Sequence, residues 1–124
     1  MQKICLAVFV ALLSPLTSLA ACPKNKKEWH AKGTRIFLER VAEQNLDGFD
    51  LAKFSAKNGK STTSSAFPFK EGKRELVLMQ AKDNDTSLFL TGIMRCDPET
   101  KEPKLLSLTW VRGEKSGLVK LKKP

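Results

Sequence analysis

Apolar and polar positions alternate most cleanly in the second half of the chain. Four strand-like runs, Arg74–Ala81, Ser87–Cys96, Lys104–Arg112 and Leu118–Lys122, are separated by the turn-forming stretches Lys82-Asp83-Asn84-Asp85, Asp97 to Pro103 and Gly113 to Gly117. Period-two alternation bounded by turn residues marks half-buried strands. Connections this short make successive strands pair antiparallel, which predicts a meander. In the second run Leu88, Leu90, Gly92, Met94 and Cys96 fall on one face, and in the third Leu106, Leu108 and Trp110 do. These are the predicted core positions. The opposite faces hold Phe89, Thr91 and Ile93, and Leu105, Ser107, Thr109 and Val111. They are too apolar for free solvation, so a helix or the N-terminal segment is expected to cover part of them.

Upstream the period changes. Thr34 is a plausible cap, Ile36, Phe37, Leu38 and Val41 form an apolar stripe, and Glu39, Arg40, Glu43 and Gln44 lie opposite. With stop residues in Asn45 to Gly48, the spacing predicts a helix over Thr34–Asn45. Pro23 to Lys32 is polar and basic around Trp29 and reads as an irregular arm. Phe49 to Ala56 supports two readings. Asp50 as a cap with Gly59 beyond suggests a short helix; Asp47-Gly48 and Asn58-Gly59 as brackets suggest a strand, which is preferred. Lys60 to Ala66 is a hydroxyl-rich loop, and Phe67-Pro68-Phe69 is extended. The expected fold is α+β: an N-terminal helix packed on a mainly antiparallel β-meander of four to five strands, with one disulfide.

The first residues form a separate region. Lys3 supplies a positive charge, Ile4 to Leu13 is an uninterrupted apolar run, Ser14-Pro15 breaks it, and Leu19-Ala20-Ala21 offers small residues for cleavage. That is the three-part layout of a secretory signal over residues 1–20, leaving residues 21–124 as one small secreted or periplasmic domain. The run is shorter than the roughly 20 residues a spanning helix needs.

Cys5 leaves with the signal, and Cys22 and Cys96 remain. In an oxidising compartment two cysteines in a small domain are most simply one disulfide. Its loop of about 75 residues corresponds to roughly 4 kcal/mol of stabilisation in the chain-entropy model. Leu19-Ala20-Ala21-Cys22 also fits a lipobox, in which Cys22 becomes a lipidated N-terminus. That would make the protein a membrane-anchored envelope lipoprotein with a structural or assembly role. Cys22 cannot do both, and the disulfide is preferred because it leaves no orphan thiol on Cys96.

Charge carries the functional signal. The chain has 22 Lys and Arg against 13 Asp and Glu, a net charge of +9. Lys24, Lys26, Lys27 and Lys32 lie near one end of the mature domain, and Lys120, Lys122 and Lys123 at the other. If the disulfide holds the N-terminus near the sheet, the two clusters are able to share a face and attract anions. The expected partner is an anionic macromolecule or acidic protein: lipopolysaccharide, acidic lipid or nucleic acid. A basic target such as a lysozyme would be repelled.

Catalytic patterns are missing. His30 is the single histidine and has no nucleophile–carboxylate arrangement around it. One histidine and two cysteines cannot supply four zinc ligands. Asp83 and Asp85, and Asp97, Glu99 and Glu102, lack the glycine and closing glutamate of an EF-hand and read as turn formers. Gly59-Lys60-Ser61 lacks the earlier glycine of a phosphate loop. The expectation is a non-enzymatic binding protein without metal or cofactor.

Cys22-Pro23 at the mature start and Met94-Arg95-Cys96 at a strand end resemble a family of small secreted two-cysteine bacterial proteins of uncharacterised function. The resemblance covers that start and roughly residues 76–108. It implies an α+β domain with one disulfide and no established activity.

Overall fold

In a computed structural model the described residues are 22–57, 60 and 62–122. Residues 1–21, over which the signal peptide is expected, Lys123, and most of the Asn58–Ser61 bracket lie outside them. Asn25 opens the helical region. Its side chain accepts the Glu28 backbone N–H at 2.9 Å, while Glu28 Oε1 accepts the Lys24 N–H at 3.3 Å. This near-reciprocal cap starts α1 (Lys26–Glu28). The chain continues without a break through π-helical Trp29–Gly33 into α2 (Thr34–Ala42). The basic arm expected over Pro23–Lys32 is therefore largely helical. Its wider π turn places Trp29 in the core, with Gly33 directly beneath the indole.

Phe49–Ala56 is not a strand. Asp50 Oδ1 accepts the Lys53 N–H at 3.0 Å and caps α3 (Leu51–Ala56), whose Leu51 and Phe54 enter the core. The aspartate cap and a three-residue apolar spacing outweigh the Asp-Gly bracket that suggested a strand.

Five antiparallel strands follow in simple meander order: β1 (Thr62–Glu71), β2 (Arg74–Asp83), β3 (Phe89–Cys96), β4 (Pro103–Arg112) and β5 (Lys115–Leu118). The expected hydroxyl-rich loop is mostly strand: Thr62 to Ala66 pair with Asp83 to Met79. The expected strand Leu118–Lys122 is displaced, because the turn before it is tight. Arg112 pairs with Lys115 across Gly113 at φ 61°, so β5 begins at Lys115 and ends at Leu118.

The turns alternate between two designs. Gly72 and Gly113, both left-handed, make two-residue connections. The β2–β3 and β3–β4 connections are longer and share one plan. Asp83 and Asp97 accept backbone N–H groups at their third residue, and Ser87 and Lys101 take the left-handed conformation at their fifth. In each the fifth-residue N–H returns to the aspartate carbonyl at 2.8 Å. The sequence repeat behind this is Asp83-Asn84-Asp85-Thr86-Ser87 and Asp97-Pro98-Glu99-Thr100-Lys101.

One face of the sheet shares a hydrophobic core with the helices. Phe37, Leu38 and Val41 of α2 join Met79, Ala81, Leu90, Met94 and Leu108, all essentially inaccessible. Leu88, Leu90, Gly92 and Met94 occupy the inward positions read from the alternation. The β4 reading needs correction. Ile93 pairs with Ser107 but Met94 pairs with Leu105, so Leu106 is the extra residue of a bulge. The bulge turns Leu105 inward and leaves Leu106 half-exposed, while Leu108 and Trp110 stay on the core side. On the opposite, outer face lie Phe67, Phe69, Val111 and Leu118, the exposed large hydrophobic residues. Among the described residues no helix lies on that face.

Candidate functional site

The disulfide forms between Cys22 and Cys96, with Cα atoms 5.9 Å apart across a separation of 74 residues. It fixes the start of the domain beside the end of β3. Cys22 Sγ also lies 3.1 Å from the Lys101 carbonyl oxygen. That is a contact and not a hydrogen bond, since a bridged sulfur carries no proton. Thioether lipidation would require the sulfur that this bridge uses.

From this anchor the helix crosses the sheet. Its first turns touch β1, and α2 reaches β4. At its far end the Gln44 side chain accepts the Lys122 backbone N–H at 2.7 Å. The helix from Lys26 to Ala42 spans roughly 25 Å, and five strands separate the sheet edges by roughly 19 Å. Lys24, Lys26 and Lys27 thus lie at the β1 end, and Lys120 and Lys122 follow β5 at the opposite edge. The two groups are separated by more than the Debye length of about 8 Å at physiological salt. The structure sets them at opposite ends of the helix and does not join them into one cluster.

It does extend the first group. Trp29, Gly33, Thr34, Ile36, Phe37, Leu38 and Val41 are buried, and the basic positions of the first turns face water. Lys24, Lys26, Lys27, Lys32 and Arg35 are all exposed there, against one acid in that stretch, Glu28. Among the described residues, ion pairs involve only the cations Arg40, Lys57 and Arg74. The five cations at the start of the helix therefore make no ion pair among the described residues, and Glu28 offsets one of them. Arg35, hidden in a stripe read only for its apolar members, was not among the expected site residues. The Asn25-Glu28 spacing was the signal that would have joined it to the lysines.

The buried polar chemistry lies elsewhere and is structural. Asp83 is 2% exposed. It accepts from Lys57 Nζ at 3.0 Å, the Asp85 N–H at 3.0 Å and the Thr86 hydroxyl at 2.8 Å. Burial alone would push its carboxyl up, but these three donors outweigh it and hold Asp83 below the usual carboxylate range. The same contact with Asp83, working against burial and aided by Asp85, raises the Lys57 ammonium. Asp97 is lowered by the Glu99 and Thr100 N–H groups, with Lys104 and Arg95 adding to it against slight burial. Asp83 and Asp97, the first acidic residue of each long turn, are thus held as turn acceptors. Among the described residues no three His, Cys, Asp or Glu side chains converge as a metal site.

Comparison with protein families, curated proteins and solved structures finds no match. No helix among the described residues is long and apolar enough to cross a membrane.

Proposed function

We propose that this chain is a non-enzymatic, secreted or periplasmic binding protein that docks an anionic macromolecule on the exposed face at the start of its helix. The supporting observation is the set of five exposed, unpaired cations, Lys24, Lys26, Lys27, Lys32 and Arg35, on an element rigidly held by a cap, a buried tryptophan and a disulfide. Like charges carried on a backbone held in place raise encounter rates with polyanions. Lys120 and Lys122, with Lys123 outside the described residues, form a second group that adds long-range attraction. The disulfide supports an oxidising compartment, and its use of Cys22 favours the bridged form over the lipid-anchored one.

The test is binding to lipopolysaccharide, acidic phospholipid vesicles, duplex DNA and an acidic protein across a salt series. Charge-driven docking appears at low salt and falls steeply as salt rises. Changing Lys24, Lys26 and Lys27 to Glu together abolishes it, whereas Lys120→Glu with Lys122→Glu mainly slows association. Absence of binding to all four probes at low salt sinks the reading, as does full binding by the triple variant.

A further inference from the structure

A second site lies away from the basic helix. The Phe49 turn, α3 and the β2–β3 turn enclose a cleft of about 280 Å³. Phe54 and Leu88 are its buried apolar floor, half-buried Phe49 is a wall, and Lys53, Lys57 and Arg112 reach its rim.

Arg112 is held for a purpose its own packing does not exhaust. Its Nε donates to the Thr86 carbonyl at 3.2 Å, and its guanidinium carbon stands 5.6 Å from the centre of the Phe49 ring. Phe49 is itself set by Trp110, whose ring centre is 5.6 Å away. One edge and one face of the guanidinium are thereby fixed. Among the described residues its two terminal nitrogens have no acceptor. A guanidinium fixed in this way presents a ready-made fork for a planar oxyanion.

The surrounding charges set the ligand's charge. Inside the cleft Lys57 pairs with Asp83, it also reaches the exposed Asp85 just outside the lining, and Asp50 stays as the anionic cap of α3. Among the residues that line the cleft, Arg112, Lys53 and Lys57 against Asp50 and Asp83 leave a surplus of one positive charge, which suits a monoanion. We infer that this cleft binds a carboxylate borne on an apolar body, with Arg112 as its two-pronged partner, Lys53 as a supporting charge and Phe49, Phe54 and Leu88 against the apolar part.

The experiment is a titration of the full mature protein, followed by amide NMR shifts, with 3-phenylpropionate as probe. Its alcohol, 3-phenylpropan-1-ol, is the uncharged control. A short peptide ending in Phe, as the free acid and as the amide, separates a polypeptide C-terminus from a small acid as the source of the carboxylate. Saturable shifts are expected at Phe49, Lys53, Thr86 and Arg112, with the alcohol and the amide at least about tenfold weaker than the acids. Arg112→Gln weakens the acids about tenfold and Lys53→Gln about threefold, while Lys26→Gln changes nothing. Binding by both acids supports the carboxylate reading for either source, and binding by the peptide acid alone supports it for a chain terminus. Equal binding of acid and alcohol, unchanged affinity in Arg112→Gln, or no saturable shift with either acid overturns it. None of these results bears on the polyanion face, whose lysines lie on another element.

Discussion

Asp83 takes three donors into a position that water barely reaches, and that decides how it responds to acid. Its folded carboxyl lies below the ordinary value of 3.8. A lowered folded value means that its stabilisation is fully present above the unfolded value and is lost as pH falls through the folded one. Asp83→Asn is expected to cost about 2 kcal/mol at neutral pH. The gap between the two proteins should close as the pH is taken below about 4, followed by thermal unfolding across pH. A gap that does not change with pH would show that Asp83 acts through shape alone. Gly92 makes the complementary case with no charge at all. A Cβ there would stand 2.5 Å from Phe37 Cε1, so the glycine is the socket that lets α2 approach β3. Neither role was legible in the sequence. Asp83 looked like one of several turn acids, and Gly92 like an ordinary small core residue, because burial and partners depend on the distant segments that meet them.

Elements were legible where alternation was strong and illegible where polarity or capping governed. The interior of β3 followed from Leu90, Gly92 and Met94 falling on one face. β1 was not, since only Thr62 and Ala66 of its ten residues are buried and an edge strand needs little apolar pattern. The bulge at Leu106 had no sequence mark, and one extra residue was enough to exchange Leu105 for Leu106 in the core. The first helical turns were masked by their own charge. Asn25→Ala is expected to cost about 1 kcal/mol and to fray α1, with hydrogen exchange accelerating through Trp29 while the β3 amides keep their protection. Of the polyanion face, the lysines were legible as a cluster, but their common helical scaffold and Arg35 were not. Of the carboxylate cleft nothing was legible, since Phe49, Lys53 and Arg112 are brought together only by tertiary folding.

For the whole molecule the disulfide is the covalent long-range constraint. It ties Cys22 to the end of β3 over 74 residues. Replacing both cysteines by Ser is expected to lower stability by about 4 kcal/mol, measured by denaturant unfolding. Intact mass before and after reduction should differ by one pair of hydrogens, whereas an acyl-sized increment would identify a lipidated Cys22. The outer sheet face gives the net charge a further meaning. Phe67 and Phe69 on β1, and Val111 and Leu118 on β4 and β5, lie open to water near the two edges of the outer sheet face, where apolar exposure favours contact between copies. A chain at +9 resists that contact by mutual repulsion. Salt is therefore expected to act in two directions: the same screening that weakens the proposed polyanion docking lowers the barrier between sheet faces. Its lysines are thus also its colloidal stabiliser, and a polyanion that neutralises them removes the barrier that keeps one molecule from the next.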